Sequence, residues 1–308
     1  MTKKTSKKLT LVILAAGLSS RYKKGLKQLD SFGPAGEALM DYSIYDAMQA
    51  GFAKVVFVIR KQFKDDFKNM IVSKYGGKLD YDFVYQEIND LPEGFDAAPG
   101  RQKPWGTGHA VWAARHIVKE PFAVINADDF YGSVSYKKIV PFLSTQAADN
   151  HNTYAMVGFK LNNTMSDHGS VSRGICTIEG EKLLDIEERT HLQRDQTGSI
   201  IYQNEKGIRQ SIDPNAVVSM NFWGFLPDFF SRCEASFKNF LTHNDADMQS
   251  EFFLPNCIKE QIKSGHVSVK VLNSTGGWLG VTHADDKPAV KAKLKAFCEA
   301  GLYPPGLF

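Results

Sequence analysis

The run Leu11-Val12-Ile13-Leu14-Ala15-Ala16 and the segment that follows it, Gly17-Leu18-Ser19-Ser20-Arg21, decide the fold. The apolar, β-branched character of residues 9–16 predicts a strand that is buried on both faces. The glycine-bearing segment then forms a loop at the carboxyl end of that strand. Open α/β sheets bind their ligands at this end of their strands, so the loop is the first candidate for a binding site.

Helices and strands alternate after this loop. Apolar residues at helical spacing predict helices over 40–50, 62–74 and 109–118, and apolar runs predict strands over 54–59, 81–85 and 122–125. Such alternation implies right-handed βαβ units. We therefore expect an α/β fold with a Rossmann-like mixed, mainly parallel sheet flanked by helices.

The pattern changes after about residue 150. Strands are predicted over 154–161, 174–178, 217–225 and 267–272, and helices over 229–241, 251–264 and 287–300. The sequence contains neither an internal repeat nor a low-complexity linker. We expect residues 1–150 and 151–308 to be two halves of one α/β domain, with the second half extending the sheet of the first.

Composition narrows the class of protein. The 308 residues are 43% hydrophobic and 23% charged, with 37 basic against 34 acidic side chains. This near-balance disfavours a nucleic-acid-binding protein. The apolar run at the start is too short for a membrane span or a secretion signal, so no membrane association is expected. Four well-separated cysteines form neither a zinc motif nor a disulfide framework, which favours reduced thiols and a cytoplasmic location.

The first loop carries groups suited to a nucleotide. Ala15, Ala16 and Gly17 are small enough for a base or a phosphate to approach the backbone, whose N–H groups can bind an anion. Arg21 offers a planar fork for phosphate and Lys27 a compact positive charge. An ordinary small-residue turn is the alternative. The segment matches neither the P-loop nor the dinucleotide-binding fingerprint.

Two further strand ends carry polar side chains. Gln86 closes the third strand, where its amide offers both a donor and an acceptor for a pyrimidine edge, unless it is a solvated loop residue. Asp128 and Asp129 follow the fourth strand. Adjacent carboxylates there suit Mg²⁺, which binds oxygen ligands and substrate phosphates, although such pairs also occur in plain turns.

These segments resemble the sugar-1-phosphate nucleotidyltransferases. The resemblance rests on residues 14–21 followed by Leu26-Lys27-Gln28-Leu29, and on residues 40–51, which are similar to the helix that follows in that family. It is most specific over residues 9–132. It implies the nucleotide-diphospho-sugar transferase fold, with the nucleotide bound by the first half and the acceptor by the second. It is closest to the uridylyltransferases that act on glucose 1-phosphate.

The resemblance also implies roles for further residues. The segment 105–111 is similar to the family's Gly-x-Gly/Ala-His-Ala element, which places Gly106 and Thr107 at the nucleotide. His109 within it is expected to be a buried, hydrogen-bonded histidine rather than a proton carrier. In the second half, the implied sugar-phosphate-binding residues are Gly169, Glu188, Arg189 and Asn221. For Glu188 and Arg189, an exposed run of charges is the alternative.

The implied metal site has Asp128 as ligand and Asp129 as its helper, but the sequence departs from the family at one position. A Trp-x-Asp-x-Gly element often supplies a second carboxylate, and here Trp278 is followed by Gly280. Three alternatives stay open for this metal site. Asp285 or Asp286 reaches back to the metal, water completes its coordination shell, or the site is impaired.

The resulting expectation is a Mg²⁺-dependent enzyme that transfers UMP from UTP to a sugar 1-phosphate and releases pyrophosphate, with Arg21, Lys27 and Asp128 as catalytic residues. Two alternatives stay open: a cytidylyl- or guanylyltransferase acting on a non-sugar phosphate, and a nucleotide-sugar-binding protein without turnover. The sequence leaves the sugar and the oligomeric state open, a homo-oligomer included.

Overall fold

The computed structural model describes residues 8–19, 30–146, 152–204, 207–244 and 247–308. Within these ranges the helices are α1 to α7 in chain order: Leu39–Ala50, Lys64–Tyr75, Thr107–Trp112, Ser133–Gln146, Phe229–Asn244, Leu254–Lys263 and Lys287–Glu299. The strands are β1 to β13: Thr10–Leu14, Lys54–Ile59, Tyr81–Tyr85, Phe122–Asn126, Asp129–Phe130, Thr153–Lys160, Val171–Glu179, Lys182–Arg194, Ile200–Gln203, Arg209–Ser211, Val217–Phe225, Ser268–Asn273 and Leu279–Gly280.

One large sheet organises the chain. Its strands follow the order β10-β9-β8-β12-β6-β11-β4-β1-β2-β3, and β7 bridges β11 and β8. The first four strands of the chain, β1 to β4, form a parallel group in the order β3-β2-β1-β4. Since β11 and β6 follow β4 directly, the second half of the chain continues the same sheet.

The sheet is mixed, as expected, but the expectation that it is mainly parallel is wrong. Among the described strands of the large sheet, four pairings are parallel and seven are antiparallel. Every antiparallel pairing involves a strand of the second half, where β7 and β8 follow each other through a short turn. Short connections can join only antiparallel neighbours, because a parallel pair needs a long crossover.

Strand β1 is buried on both faces of the sheet. Leu11 and Ile13 belong to the apolar cluster on the side of α1 and α4, whereas Val12 and Leu14 belong to the cluster on the side of α3 and α5. Because successive side chains of a strand point to opposite faces, helices on both sides require an uninterrupted apolar run. The sequence of β1 meets that requirement.

Several predicted helix boundaries shift in the structure. The helix expected over 109–118 begins at Thr107 and ends at Trp112, followed by a 3₁₀ turn. The helix expected over 251–264 begins at Leu254, just before Pro255. Proline is favoured in the first helical turn because its missing N–H would have no partner there anyway. The proposed division near residue 150 falls within 147–151, outside the described residues, and stays a prediction.

Candidate active site

A cleft of about 680 Å³ opens at the carboxyl ends of β1 to β4. Ligand pockets commonly occupy roughly 300–1,000 Å³, so the cleft has the size of a small-molecule site. Because the four strands are parallel, the loops that follow them meet at one edge of the sheet. Seven of the residues singled out in the sequence line this cleft: Ala16, Gly17, Gln86, Gly106, Thr107, Asp128 and Asn221.

The two predicted cations of the first loop, Arg21 and Lys27, lie outside the described residues. Their gathering with Asp128 therefore stays a prediction. Ala15 is buried beneath the loop, where its N–H donates to the carbonyl of Val58 at 2.9 Å, and it does not line the cleft.

The Gln86 side chain is held in one orientation. Its amide nitrogen donates to the carbonyl of Gly106 at 2.8 Å and lies 3.2 Å from Nδ1 of His109. The other ring nitrogen of His109 lies 2.8 Å from the carbonyl of Asp90. Since a carbonyl only accepts, Nε2 carries the proton and Nδ1 accepts from Gln86. Both amide hydrogens of Gln86 are thus used, and its Oε1 is left as the group it can offer to a ligand.

His109 is a buried, satisfied histidine, as the sequence led us to expect. It is fully buried, and burial lowers its pKa to about 4. The ring is therefore neutral near pH 7, which keeps Nδ1 available as an acceptor.

Close packing explains the glycines of this segment. Gly106 has φ near 92°, and a Cβ there would lie 2.8 Å from the carbonyl oxygen of Phe252. At Gly108 a Cβ would lie 2.6 Å from the ring of the same residue. The hydroxyl of Thr107 accepts from the N–H of Leu254 at 2.9 Å, which satisfies an open donor at the start of α6. These contacts fix the loop beside Gln86.

The two adjacent aspartates point to different environments. Asp128 is exposed and lines the cleft. Asp129 is buried and accepts from the side-chain amide of Asn126 at 2.9 Å and from the hydroxyl of Tyr131 at 3.1 Å. Burial, and then the negative charge of Asp128, raise the pKa of Asp129 to about 7. Of this pair, Asp128 is the one placed to meet a ligand.

The ring of Trp278 packs against Gly280, the position at which the family resemblance implies a second carboxylate. Gly280 pairs with Asp129 in the ladder between β5 and β13. A Cβ on Gly280 would lie 2.4 Å from the ring of Trp278 and 2.9 Å from Oδ1 of Asp129. A side chain at position 280 therefore needs the indole to move. This packing explains why a glycine stands at position 280.

Asp286 does not replace that carboxylate. Its Oδ1 accepts from the hydroxyl of Ser166 at 2.6 Å, and its Oδ2 accepts from the backbone N–H groups of Thr282 and His283. One oxygen thus holds the turn that precedes α7, and the other ties this turn to the segment between β6 and β7. Within the described ranges, no three His, Cys, Asp or Glu side chains are grouped closely enough to hold a metal ion.

The cleft still fits a magnesium ion that arrives with its substrate. Mg²⁺ typically binds one or two carboxylates and takes its other ligands from phosphates and water. The exposed carboxylate of Asp128 meets that minimum, whereas a preformed cage of protein ligands is absent from the described residues.

Asn221 reaches the cleft through an irregularity in β11. The register of β11 against β6 shifts between Ser219 and Trp223, and Asn221 has φ near 60°. Asparagine tolerates this left-handed conformation better than most residues do. Such strained positions cluster at functional sites. Asn221 lines the cleft together with Asp128.

The other three predicted sugar-phosphate residues do not line the cleft. Gly169 makes room for His283, whose ring would lie 2.7 Å from a Cβ there. Glu188 lies on β8 opposite Gly174, at an exposed position. Arg189 pairs with Glu187 at 2.5 Å and its guanidinium lies 4.8 Å from the ring centre of Tyr202. Their contact with a sugar phosphate stays a prediction.

Sequence reasoning missed Arg60, which follows β2 directly and lines the cleft. Its Nε donates to the carbonyl of Ala16 at 3.1 Å, so the side chain bends over the first loop. The signal was present, because Arg60 occupies a strand end equivalent to those of Gln86 and Asp128. Asn126, at the end of β4, was missed in the same way.

Two curated proteins resemble this chain over part of its length. The chain is 29% identical over 128 residues to the UTP–glucose-1-phosphate uridylyltransferase 1 of Staphylococcus saprophyticus, and 30% identical over 132 residues to the UTP–glucose-1-phosphate uridylyltransferase of Bacillus subtilis. Each alignment covers 38% of this chain and spans 44% and 43% of the two relatives, respectively. No protein-family model matches the chain.

Solved structures extend the likeness to the whole fold. The inositol-1-phosphate CTP transferase from T. maritima has a TM-score of 0.60 at 13% identity and covers 94% of this chain and 96% of that one. A UDP-glucose pyrophosphorylase complexed with UDP-glucose has a TM-score of 0.55 at 17% identity and covers 93% and 98%. The resemblance to the sugar-1-phosphate nucleotidyltransferases is confirmed. The observed fold, a mixed β-sheet flanked by helices, agrees with the α/β fold that the resemblance implies.

The structure also bears on membrane association. None of the helices in the described ranges is both long and apolar enough to cross a bilayer.

Proposed function

We propose that this protein transfers UMP from UTP to a sugar 1-phosphate and releases pyrophosphate. One observation carries the proposal: the cleft brings Gln86, the Gly17 loop and Asp128 together along one edge of the sheet. This arrangement supplies a base-edge reader, a backbone that a nucleotide can approach, and a carboxylate for a metal-bound phosphate. The sequence likeness to two uridylyltransferases supports the choice of UTP.

The chemistry needs positioning more than acid–base catalysis. A phosphate oxygen of the sugar 1-phosphate attacks the α-phosphorus of UTP, the new P–O bond forms, and the bond to the β-phosphate breaks to release pyrophosphate. Because the nucleophile is already an anion, no general base is required. The protein lowers the barrier by aligning the reactants and offsetting negative charge.

Each group of residues in and around the cleft is proposed to bind a different part of the substrates. Gln86, Gly106 and Thr107 hold the nucleoside, and Asn221 meets the sugar phosphate across the cleft. Asp128 would hold Mg²⁺, which supplies positive charge to the triphosphate when bound. Arg21 and Lys27 are proposed to bind phosphate oxygens at the reacting centre.

A panel of nucleotides and acceptors tests this function. Pyrophosphate release is measured with UTP, CTP, GTP and ATP, each with sugar 1-phosphates and with non-sugar phosphates. We expect pyrophosphate to be released with UTP and a sugar 1-phosphate. Release that depends on CTP and an inositol or choline phosphate would move the protein to the cytidylyltransferases, one of which shares its fold.

A second candidate function follows from the ring of Trp278 over Gly280. This ring fills the place of a second carboxylate, so the metal site has fewer protein ligands than the family pattern implies. A nucleotide-sugar-binding protein without turnover is consistent with that loss. Binding of a UDP-sugar by calorimetry, with no pyrophosphate release at saturating Mg²⁺, would favour it.

A further inference from the structure

We propose that Arg60 is a base-reading residue and that, together with Gln86, it selects nucleobases with a keto edge over those with an amino edge. The inference deepens the proposed nucleotidyl transfer and rests on a nucleotide occupying the cleft.

Two hydrogen bonds fix the orientation of the Gln86 side-chain amide. Both hydrogens of its amide nitrogen are directed to protein acceptors, the carbonyl of Gly106 and Nδ1 of His109. The carbonyl of Gly106 can only accept, so a flipped amide would set oxygen against oxygen. The side chain is 9% exposed and lines the cleft. Towards a ligand, Gln86 therefore acts as an acceptor through Oε1.

Arg60 is held to the first loop by one hydrogen bond. Its Nε is held by the carbonyl of Ala16, which leaves the two terminal nitrogens of the guanidinium as donors. Burial lowers its pKa, yet no acidic side chain among the described residues pairs with it. Lys103, another cation lining the cleft, is by contrast paired with Glu251 at 3.1 Å. Within the described structure, Arg60 is thus a partly buried cation whose two terminal nitrogens can donate to a ligand.

The register of the sheet brings the strand ends at Arg60 and Gln86 side by side. Ile59 pairs with Tyr85, and the N–H of Gln86 donates to the carbonyl of Ile59 at 2.9 Å, so Arg60 and Gln86 follow neighbouring strands in step. Asp128 follows β4, which lies two strands away from β2 across β1. At roughly 4.8 Å a strand, this is about 10 Å of separation. The backbone of Arg60 therefore lies closer to that of Gln86 than to the strand that precedes Asp128.

The pair presents donors beside one acceptor, and this pattern selects among bases. Uracil offers a keto oxygen, O4, next to the donor N3–H, and guanine offers O6 next to N1–H. Cytosine and adenine offer an amino donor next to an unprotonated ring nitrogen. Arginine can only donate and the fixed amide oxygen can only accept. In the proposed pose the exocyclic group of the base faces Arg60 and its ring nitrogen faces Gln86. A keto edge then satisfies both groups. In the same pose an amino edge sets its amino group against the guanidinium and its ring nitrogen against Oε1, which leaves these groups unpaired.

Nucleotide selectivity in an Arg60 variant tests the inference. The ratio of kcat/KM for UTP over CTP is measured for the wild type and for Arg60→Met, together with the Kd of each nucleotide by calorimetry. We expect Arg60→Met to lower kcat/KM for UTP by roughly 10- to 100-fold and to leave CTP unchanged or improved, so that the ratio collapses. Lys103→Met is the matched control, since it removes a cation from the same cleft and should change both nucleotides by the same factor.

The outcomes separate this inference from the proposed function. An equal loss for UTP and CTP in Arg60→Met would place Arg60 at the phosphates and overturn base reading. Turnover by a wild type that does not distinguish UTP from CTP would also overturn it, while the transferase function stands. Tighter binding of UTP than CTP that is lost in Arg60→Met, without any turnover, would support base reading and contradict the transferase.

Discussion

Nδ1 of His109 lies 3.2 Å from the amide nitrogen of Gln86, and this contact ties a fully buried ring to a side chain that lines the cleft. The proton on the opposite ring nitrogen is fixed by the carbonyl of Asp90. The orientation of the Gln86 amide thus depends on a backbone carbonyl that lies outside the cleft lining.

His109 should influence base choice without being needed for the chemistry. His109→Phe removes the acceptor that holds one hydrogen of the Gln86 amide, so we expect the preference for UTP over CTP to fall while kcat with UTP changes little. His109→Asn is the matched control, because its side-chain oxygen can accept from Gln86 and should retain more of the preference. The measurement is kcat/KM for the two nucleotides. A loss of kcat as large as that from an Asp128 variant would contradict this positioning role.

Asp128→Asn should abolish most of the activity. The change removes the cleft-lining carboxylate and keeps its shape, and single electrostatic contacts of this kind stabilise transition states by roughly 3–4 kcal/mol. We expect kcat/KM to fall by several hundredfold in a pyrophosphate-release assay, with an unchanged melting temperature. Asp285→Asn, an exposed aspartate that does not line the cleft, is the control. Full activity in the Asp128 variant would remove this residue from the site.

Asp46 should make the fold less stable as the pH rises. It is buried below the C-terminal segment and accepts from the hydroxyl of Tyr303 at 2.8 Å. Burial raises its pKa from 3.8 to about 7. Because the folded state binds this proton more tightly, its stabilising effect is complete below pH 3.8 and is lost as the pH rises through about 7. This displacement corresponds to about 4 kcal/mol between the two limits.

Denaturation at several pH values checks this. Asp46→Asn keeps an acceptor for Tyr303 and removes the titration, so the free energy of unfolding should fall less between pH 5 and 8 than in the wild type. Asp129 also has a raised pKa and keeps part of the slope in both proteins. Identical pH profiles for the two proteins would mean that Asp46 is not the titrating group.

Gly280 should not tolerate even a methyl group. A Cβ there would lie 2.4 Å from the ring of Trp278, and overpacking of this kind destabilises by roughly 1–3 kcal/mol. Thermal unfolding of Gly280→Ala should show the loss. Gly277→Ala is the control, since no described atom lies within 4 Å of the added carbon and its φ is not positive. Equal stability of the two variants would show that the indole yields easily.

The first half of the fold could be predicted well, for a physical reason. Strands β1, β2 and β4 are buried on both faces, and burial on both faces demands the apolar runs that the sequence shows. Helix α4 was missed because it contains Pro141, which normally interrupts a helix. Strand β8 was missed because it is rich in charged residues, with exposed positions along much of its length.

The sequence predicted which residues line the cleft where position after a strand decides it. Gln86 and Asp128 were identified because they follow parallel strands, and the same rule would have found Arg60. The link from Asp90 through His109 to Gln86 was beyond reach, because it depends on a backbone carbonyl brought close by a loop. The packing of Trp278 over Gly280 was equally hidden, since no spacing rule places an indole over a glycine.

The proposed function is transfer of a nucleotidyl group to a sugar phosphate, with both substrates bound in the cleft. The most direct measurement is pyrophosphate release by the wild type and by Asp128→Asn, with UTP and Mg²⁺, in the presence and absence of a series of sugar 1-phosphates. We expect release by the wild type that depends on one or a few of these acceptors and is nearly lost in the variant. A folded wild type that binds UTP but releases no pyrophosphate with any acceptor would contradict it.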